Sequence, residues 1–262
     1  MLARDRIAVL TAIAGLTALS WAYLAMMAGG MHGGMPDVPG MADASRLGPW
    51  TTAYFVMMLG MWAVMMVGMM LPAAAPMILF FATFARRSRD QGHTVTPVGA
   101  FVAGYLVVWS AFALVATTLQ WALDRLALLS SHMSTISPVL GGIILVAAGL
   151  YQWSPLKDAC LGLCRSPLAF IMGRWRAGAG GALRMGVEHG AFCVGCCWAL
   201  MALLFVGGVM NLLWVAAITL AVLTEKLAPQ GRWIAKAFGV ALVLGGVWAI
   251  VAGLGHGPIE HG

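Results

Sequence analysis

Apolar runs close to 20 residues long recur along the whole chain, and no other feature restricts its fold as much. Crossing about 30 Å of hydrocarbon takes about 20 helical residues at 1.5 Å each, and lipid offers no partner for an unsatisfied backbone N–H or C=O. The sequence therefore predicts an all-α, polytopic transmembrane bundle forming a single integral membrane domain over 1–262, with no internal repeat. Seven spans are expected: Ile7–Ala28, Trp50–Met70 with an apolar continuation to Ala85, Val98–Leu119, Ile136–Trp153, Val187–Gly208, Leu212–Thr224 and Ile234–Leu254. Hydrophobic residues make up 61% of positions and charged ones 9%, which excludes an ordinary soluble domain. Arg4 and Arg6 resemble the flank of a secretory signal, but the run behind them exceeds a signal's apolar core and ends in no clean cleavage site, so it is read as a retained span.

Lysine and arginine are retained on the cytoplasmic side of a bilayer. With the N-terminus inside and seven crossings, 13 of the 15 cations fall inside, leaving Arg46 and Arg125 outside. The net charge of +6 thus reports topology and no nucleic-acid partner. The expected setting is a bacterial inner membrane, with the C-terminus outside. Trp109, Trp121, Tyr151 and Trp153 are read as interfacial anchors, and His93 and His132 as solvated.

The Gly- and Pro-rich stretch 29–49 reads as a flexible external segment. Met31, His32, Met35 and Met41 place three thioethers and an imidazole on it, a soft ligand set suited to Cu(I); a linker with incidental methionines is the alternative. In the second apolar stretch Met57, Met61, Met65 and Met69 repeat at i, i+4, a stripe that serves either as a ladder of thioether ligands or as a packing seam. Pro72 and Pro76 follow in LPAAAP, where two missing donors predict that the second span breaks near Leu71.

All five cysteines lie in two clusters. Cys160 and Cys164 sit in a segment, 155–186, read as a basic cytoplasmic loop with a C-x-x-x-C pair. If Val187–Gly208 is helical, His189, Cys193, Cys196 and Cys197 share an arc of about 100° on one face. An imidazole and three thiols on one face, beside a second cysteine pair, suit copper or zinc better than they suit simple packing. Glu188 would stand behind these ligands through a neighbour, or be a solvated carboxylate at the mouth. Glu225 and Lys226, adjacent near the end of the sixth span, are a candidate functional charge pair or an interfacial one.

MMVGMMLPAAAPM, PLKDACLGLCRSP, EHGAFCVGCCWALMALLFVGGVMN and VLTEKL, together covering about Met57 to Lys236, resemble a bacterial family of predicted metal-binding integral membrane proteins with no established biochemical function. The resemblance implies an integral membrane fold and a metal-related role. The external methionine loop and the Gly/His tail have no counterpart in those motifs.

Three functions are expected in competition. A soft metal, copper above all, would be captured outside, passed along methionines and held at the inner Cys/His face for transport, delivery or assembly of a membrane metalloenzyme, with a periplasmic metal-binding protein as another partner. Alternatively Cys193 and Cys196 would exchange electrons with Cys160 and Cys164 as a membrane thiol–disulfide oxidoreductase. A metal-free structural subunit of a membrane complex is the third reading. No nucleophile triad, metalloprotease or phosphate-cradling motif is present.

Overall fold

The computed structural model describes residues 3–32, 50–92, 94–129 and 137–255. Among the described residues the chain is all-α: α1 (Ala3–His32), α2 (Thr52–Asp90), α3 (Val98–Arg125), α4 (Pro138–Tyr151), α5 (Pro155–Arg165), α6 (Pro167–Arg174), α7 (Gly178–Ala202), α8 (Leu204–Gly207), α9 (Leu212–Leu227) and α10 (Gly231–Gly255). Proline at the first helical position, where the missing N–H costs nothing, starts α4, α5 and α6. Ser137 caps α4 by accepting from the Leu140 N–H, and Asn211 caps α9 by accepting from the Trp214 N–H.

Among the described residues five helices are long and apolar enough to cross a membrane, or six if α4 and α5, bent by 65° at their junction, make one crossing. The remaining expected span, Leu212–Thr224, falls in α9, whose 16 residues extend about 24 Å. Large apolar side chains point outward, among them Leu213 at 85% exposed and Trp248 at 74%, the pattern of a surface solvated by lipid. The spanning window of α10 is only 11% buried, whereas those of α2 and α7 are each 56% buried. The methionine stripe and the Cys/His face therefore sit on the two most enclosed of these helices.

Three expectations are corrected. The second span does not break: α2 runs unbroken for 39 residues through Pro72 and Pro76. Its flanking residues Met69, Met70, Leu71 and Met77 are buried, and the Tyr105 hydroxyl donates to the Met70 carbonyl at 3.0 Å, so packing and a cross-helix hydrogen bond hold the helix beside its prolines. At about 58 Å, α2 must instead tilt or protrude. The stretch 155–186 is helical, not a loop, comprising α5, α6 and the first turns of α7. Finally, Trp109 is no interfacial anchor, being buried mid-helix at 1% exposure, whereas Trp121 and Trp153 are exposed.

The chain packs as two compact units, Met1–Met27, Thr52–Thr117 and Ala159–Cys196 in the first, Ala28–Thr51, Thr118–Asp158 and Cys197–Gly262 in the second. In the first, α3 and α7 run parallel and close enough that a Cβ at Gly186 would lie 2.0 Å from the Phe101 carbonyl and one at Gly104 2.1 Å from that of Leu183. Small residues at i, i+4 (Ala182, Gly186 and Gly190) allow this backbone approach. In the second, α4 and α10 are antiparallel, meeting at Gly142 against Gly246 and Gly149 against Gly239.

Candidate functional site

The arc expected on α7 forms as a buried one: His189 is 3% exposed, and Cys193, Cys196 and Cys197 are each buried. Because Gly186 and Gly190 bring α3 close, residues of α3 reach this face directly. The imidazole of His189 lies among three rings, with centroids 5.9 Å from Phe101, 5.8 Å from Tyr105 and 5.5 Å from Phe170. One turn further on, the Cys193 Sγ is 3.1 Å from the Tyr105 hydroxyl. Since that hydroxyl donates its proton to the Met70 carbonyl, the thiol is the natural donor of the second bond. A single tyrosine thus ties the methionine-rich segment of α2 to the cysteine face of α7.

The two cysteine clusters meet. All five cysteines are free, and the Cys196 and Cys164 Sγ atoms stand 3.9 Å apart. Cys196 additionally donates to the Cys193 carbonyl at 3.1 Å. Cys160 packs on the same helix, its Sγ only 2.7 Å from where a Cβ on Gly195 would lie, so that glycine admits α5 against α7. Two thiolates bound at about 2.3 Å to a tetrahedral ion stand about 3.8 Å apart, so the Cys164–Cys196 spacing already suits a shared soft cation. Among the described residues no group of three or more His, Cys, Asp or Glu side chains is placed to hold a metal ion. His189 faces rings, and Cys197 belongs to the second unit.

Along α2, Met61, Met65 and Met69 are fully buried together with Met58, Met66 and Met70, while Met57 is half-buried. The methionines therefore form an enclosed seam within the protein. In the stretch 29–49, Met35 and Met41 lie outside the described residues, as do His93, His132, His256 and His261 elsewhere. The backbone of Met31 and His32 closes α1, and their side chains lie outside what is described.

Glu188 accepts from three arginines, Arg174 at 3.0 Å, Arg176 at 2.7 Å and Arg184 at 3.3 Å. It anchors the α6–α7 connection to α7. Glu225 reaches out of α9 to another helix. Its partner is Lys157, 2.6 Å away, and both side chains are almost wholly buried. Gln152 completes the cluster, donating its Nε2 hydrogen to Glu225 at 3.0 Å and accepting from Lys157 at its oxygen. Sequence reasoning missed Gln152 and Lys157, the latter having counted only as a topogenic cation. It missed Tyr105 as well, although a hydroxyl in the middle of an apolar span was a visible signal.

A family model described as PpoB2: Copper chaperone matches residues 59–249. That match begins just after Met57 and Met58 in α2 and runs through most of α10, including every cysteine. Neither the search of curated proteins nor that of solved structures produced a match.

Proposed function

The chain belongs to the PpoB2 copper chaperone family, and from that premise we propose that it takes up Cu(I) within a bacterial inner membrane and hands it to a membrane metalloenzyme or a periplasmic metal-binding protein. The cargo site is built on Cys164 and Cys196, with Cys193 and Cys160 beside them and His189 and Cys197 on the same helix. The observation that carries this reading is the 3.9 Å approach of Cys164 and Cys196, thiols from separate sequence clusters held close enough to share one soft ion. Buried thiols in a site with few water competitors supply the softness and charge that Cu(I) selects over hard cations. Met61, Met65 and Met69 then serve as a thioether path toward it, and Met31, His32, Met35 and Met41 as the collector. Seven crossings with the N-terminus inside complete the reading, and an alkaline phosphatase fusion should be active after Gly262 and inactive after Arg89 or Arg176.

Elemental analysis of the detergent-purified chain tests it. About one copper per chain, lost in Cys164→Ser and Cys196→Ser under a Cu(I) chelator, is expected; full copper retention in both variants would remove the site from where it is put. The same thiol approach favours a second reading, a dithiol that oxidises to a Cys164–Cys196 disulfide in exchange with a membrane quinone. Metal-free protein with a reversible two-electron thiol couple would select that reading.

A further inference from the structure

We propose that the first unit carries a site for the phosphate headgroup of an anionic phospholipid, in a cavity of about 310 Å³ where the N-terminal turns of α1, the last turns of α2 and the stretch leading into α3 come together. The cavity has two kinds of wall. Val9 of α1 and Ala82 and Ala85 of α2 make an apolar side, while Arg86 and Arg89, three residues apart and so on one helical face, make a cationic one. Thr96 lines the floor, its hydroxyl already engaged with the Thr94 carbonyl and the Gly178 N–H, which fixes the connecting stretch that closes the cavity.

Both walls belong at a headgroup depth. α1 and α2 are antiparallel spans, since Val9 shares the cavity with Ala82 and Ala85 while a Cβ on Gly68 would touch Ser20, so the start of one and the end of the other face the same interface. At that depth an occupant meets acyl chains on one side and water on the other. A phospholipid has the matching polarity: its phosphodiester offers two acceptor oxygens to guanidinium forks, and its glycerol and first methylenes can lie on valine and alanine. Beside the cavity, Asp90 stands 3.9 Å from Arg89 with both side chains more than half exposed, a contact of little weight that a phosphate can displace. The volume is at the small end of ligand pockets, which run from about 300 to 1,000 Å³, and suits a headgroup with its chains lying outside along the helices.

Arg87 provides an internal control. It carries the same charge between the two cavity arginines but does not line the cavity. Native mass spectrometry of the full chain, released from detergent containing phosphatidylglycerol or phosphatidylcholine, should show about one retained phosphatidylglycerol in the wild type and in Arg87→Gln. In Arg86→Gln/Arg89→Gln that adduct should fall at least tenfold, while phosphatidylcholine is retained by none. Equal loss in Arg87→Gln would reduce the effect to general attraction of cations for an anionic surface and overturn the site. Displacement of the lipid by millimolar inorganic phosphate or glycerol phosphate would overturn the lipid as occupant, since a free anion would then suffice. Retention in the double variant at wild-type levels would overturn the proposal outright.

Discussion

Two buried polar regions of this protein obey different rules. Around Glu225, a lysine, a glutamate and a glutamine are packed away from solvent, and every charge meets a partner at hydrogen-bonding distance. Around Cys196, thiols from two helices meet with contacts of 3.1 to 3.9 Å, Cys193 and Cys196 buried and Cys164 half-buried. A buried ion survives only where its partner stands, so the Lys157–Glu225 geometry reports how the first turn of α5 must meet α9 within the second unit. A thiol packs like a small apolar group and could be buried almost anywhere. Burial is therefore informative for the charges and uninformative for the cysteines, in which the signal is convergence.

The comparison breaks first at the charges. Lys157→Met leaves Glu225 with a buried negative charge and should destabilise the fold by about 3–5 kcal/mol, seen as a large drop in thermal stability in detergent. Glu225→Met should be comparably damaging, and the Lys157→Met/Glu225→Met double variant should recover most of the loss, because packed apolar groups replace an ion pair at little cost. Single variants as stable as the wild type would mean that the two charges do not depend on each other. Next in size is Gly186→Ala, in which the new Cβ would need the space now 2.0 Å from the Phe101 carbonyl. Backbone cannot yield as a side chain does, so α3 and α7 must separate at about 1–3 kcal/mol, drawing Tyr105 off Cys193. The checks are a melting curve and Cys193 alkylation, which should speed up.

The regions also differ in how far they could be read from the sequence. The α7 face was legible because it needs only one helix and its period, and His189, Cys193, Cys196 and Cys197 are all buried as that period predicts. The approach of Cys164 to Cys196 is a contact between helices, and no periodicity specifies it. Lys157 was misjudged because a lysine among arginines looks like a topological signal, and only its glutamate, 68 residues away, makes it structural. Pro72 and Pro76 misled for a similar reason. The local rule for proline is right, but α2 continues through both prolines with the residues around them packed against neighbours.

Within the thiol region the effects on stability should be small and those on metal large. Cys196→Ser and Cys164→Ser replace a soft group by a smaller polar one and should each cost about 1 kcal/mol, within the usual range for single substitutions. Tyr105→Phe removes the hydroxyl between Met70 and Cys193, a net loss of about 0.5–1.5 kcal/mol, and frees the thiol from its 3.1 Å contact. If the copper reading holds, the serine variants lose metal under chelator while the phenylalanine variant keeps it. Loss in all three would make Tyr105 part of what positions the ligands.

The smallest structural effect is expected in the methionine seam, and there the functional readout decides most. Met61 and Met65 are wholly buried, so Met61→Leu/Met65→Leu changes an enclosed surface without changing its polarity or, to first order, its volume. Such swaps usually cost under about 1.5 kcal/mol, and a seam that only packs should tolerate both with normal protein levels and normal copper handling. A thioether path should not, because leucine keeps the shape and removes the soft sulfur that distinguishes methionine as a ligand. The measurement is copper delivered to a membrane acceptor, or copper retained per chain, at limiting Cu(I) and at saturating Cu(I). A defect confined to limiting copper would mean that the seam conducts the ion to the cysteines. An unchanged response at both concentrations would assign the seam to packing and leave the thiols of α5 and α7 as the copper site.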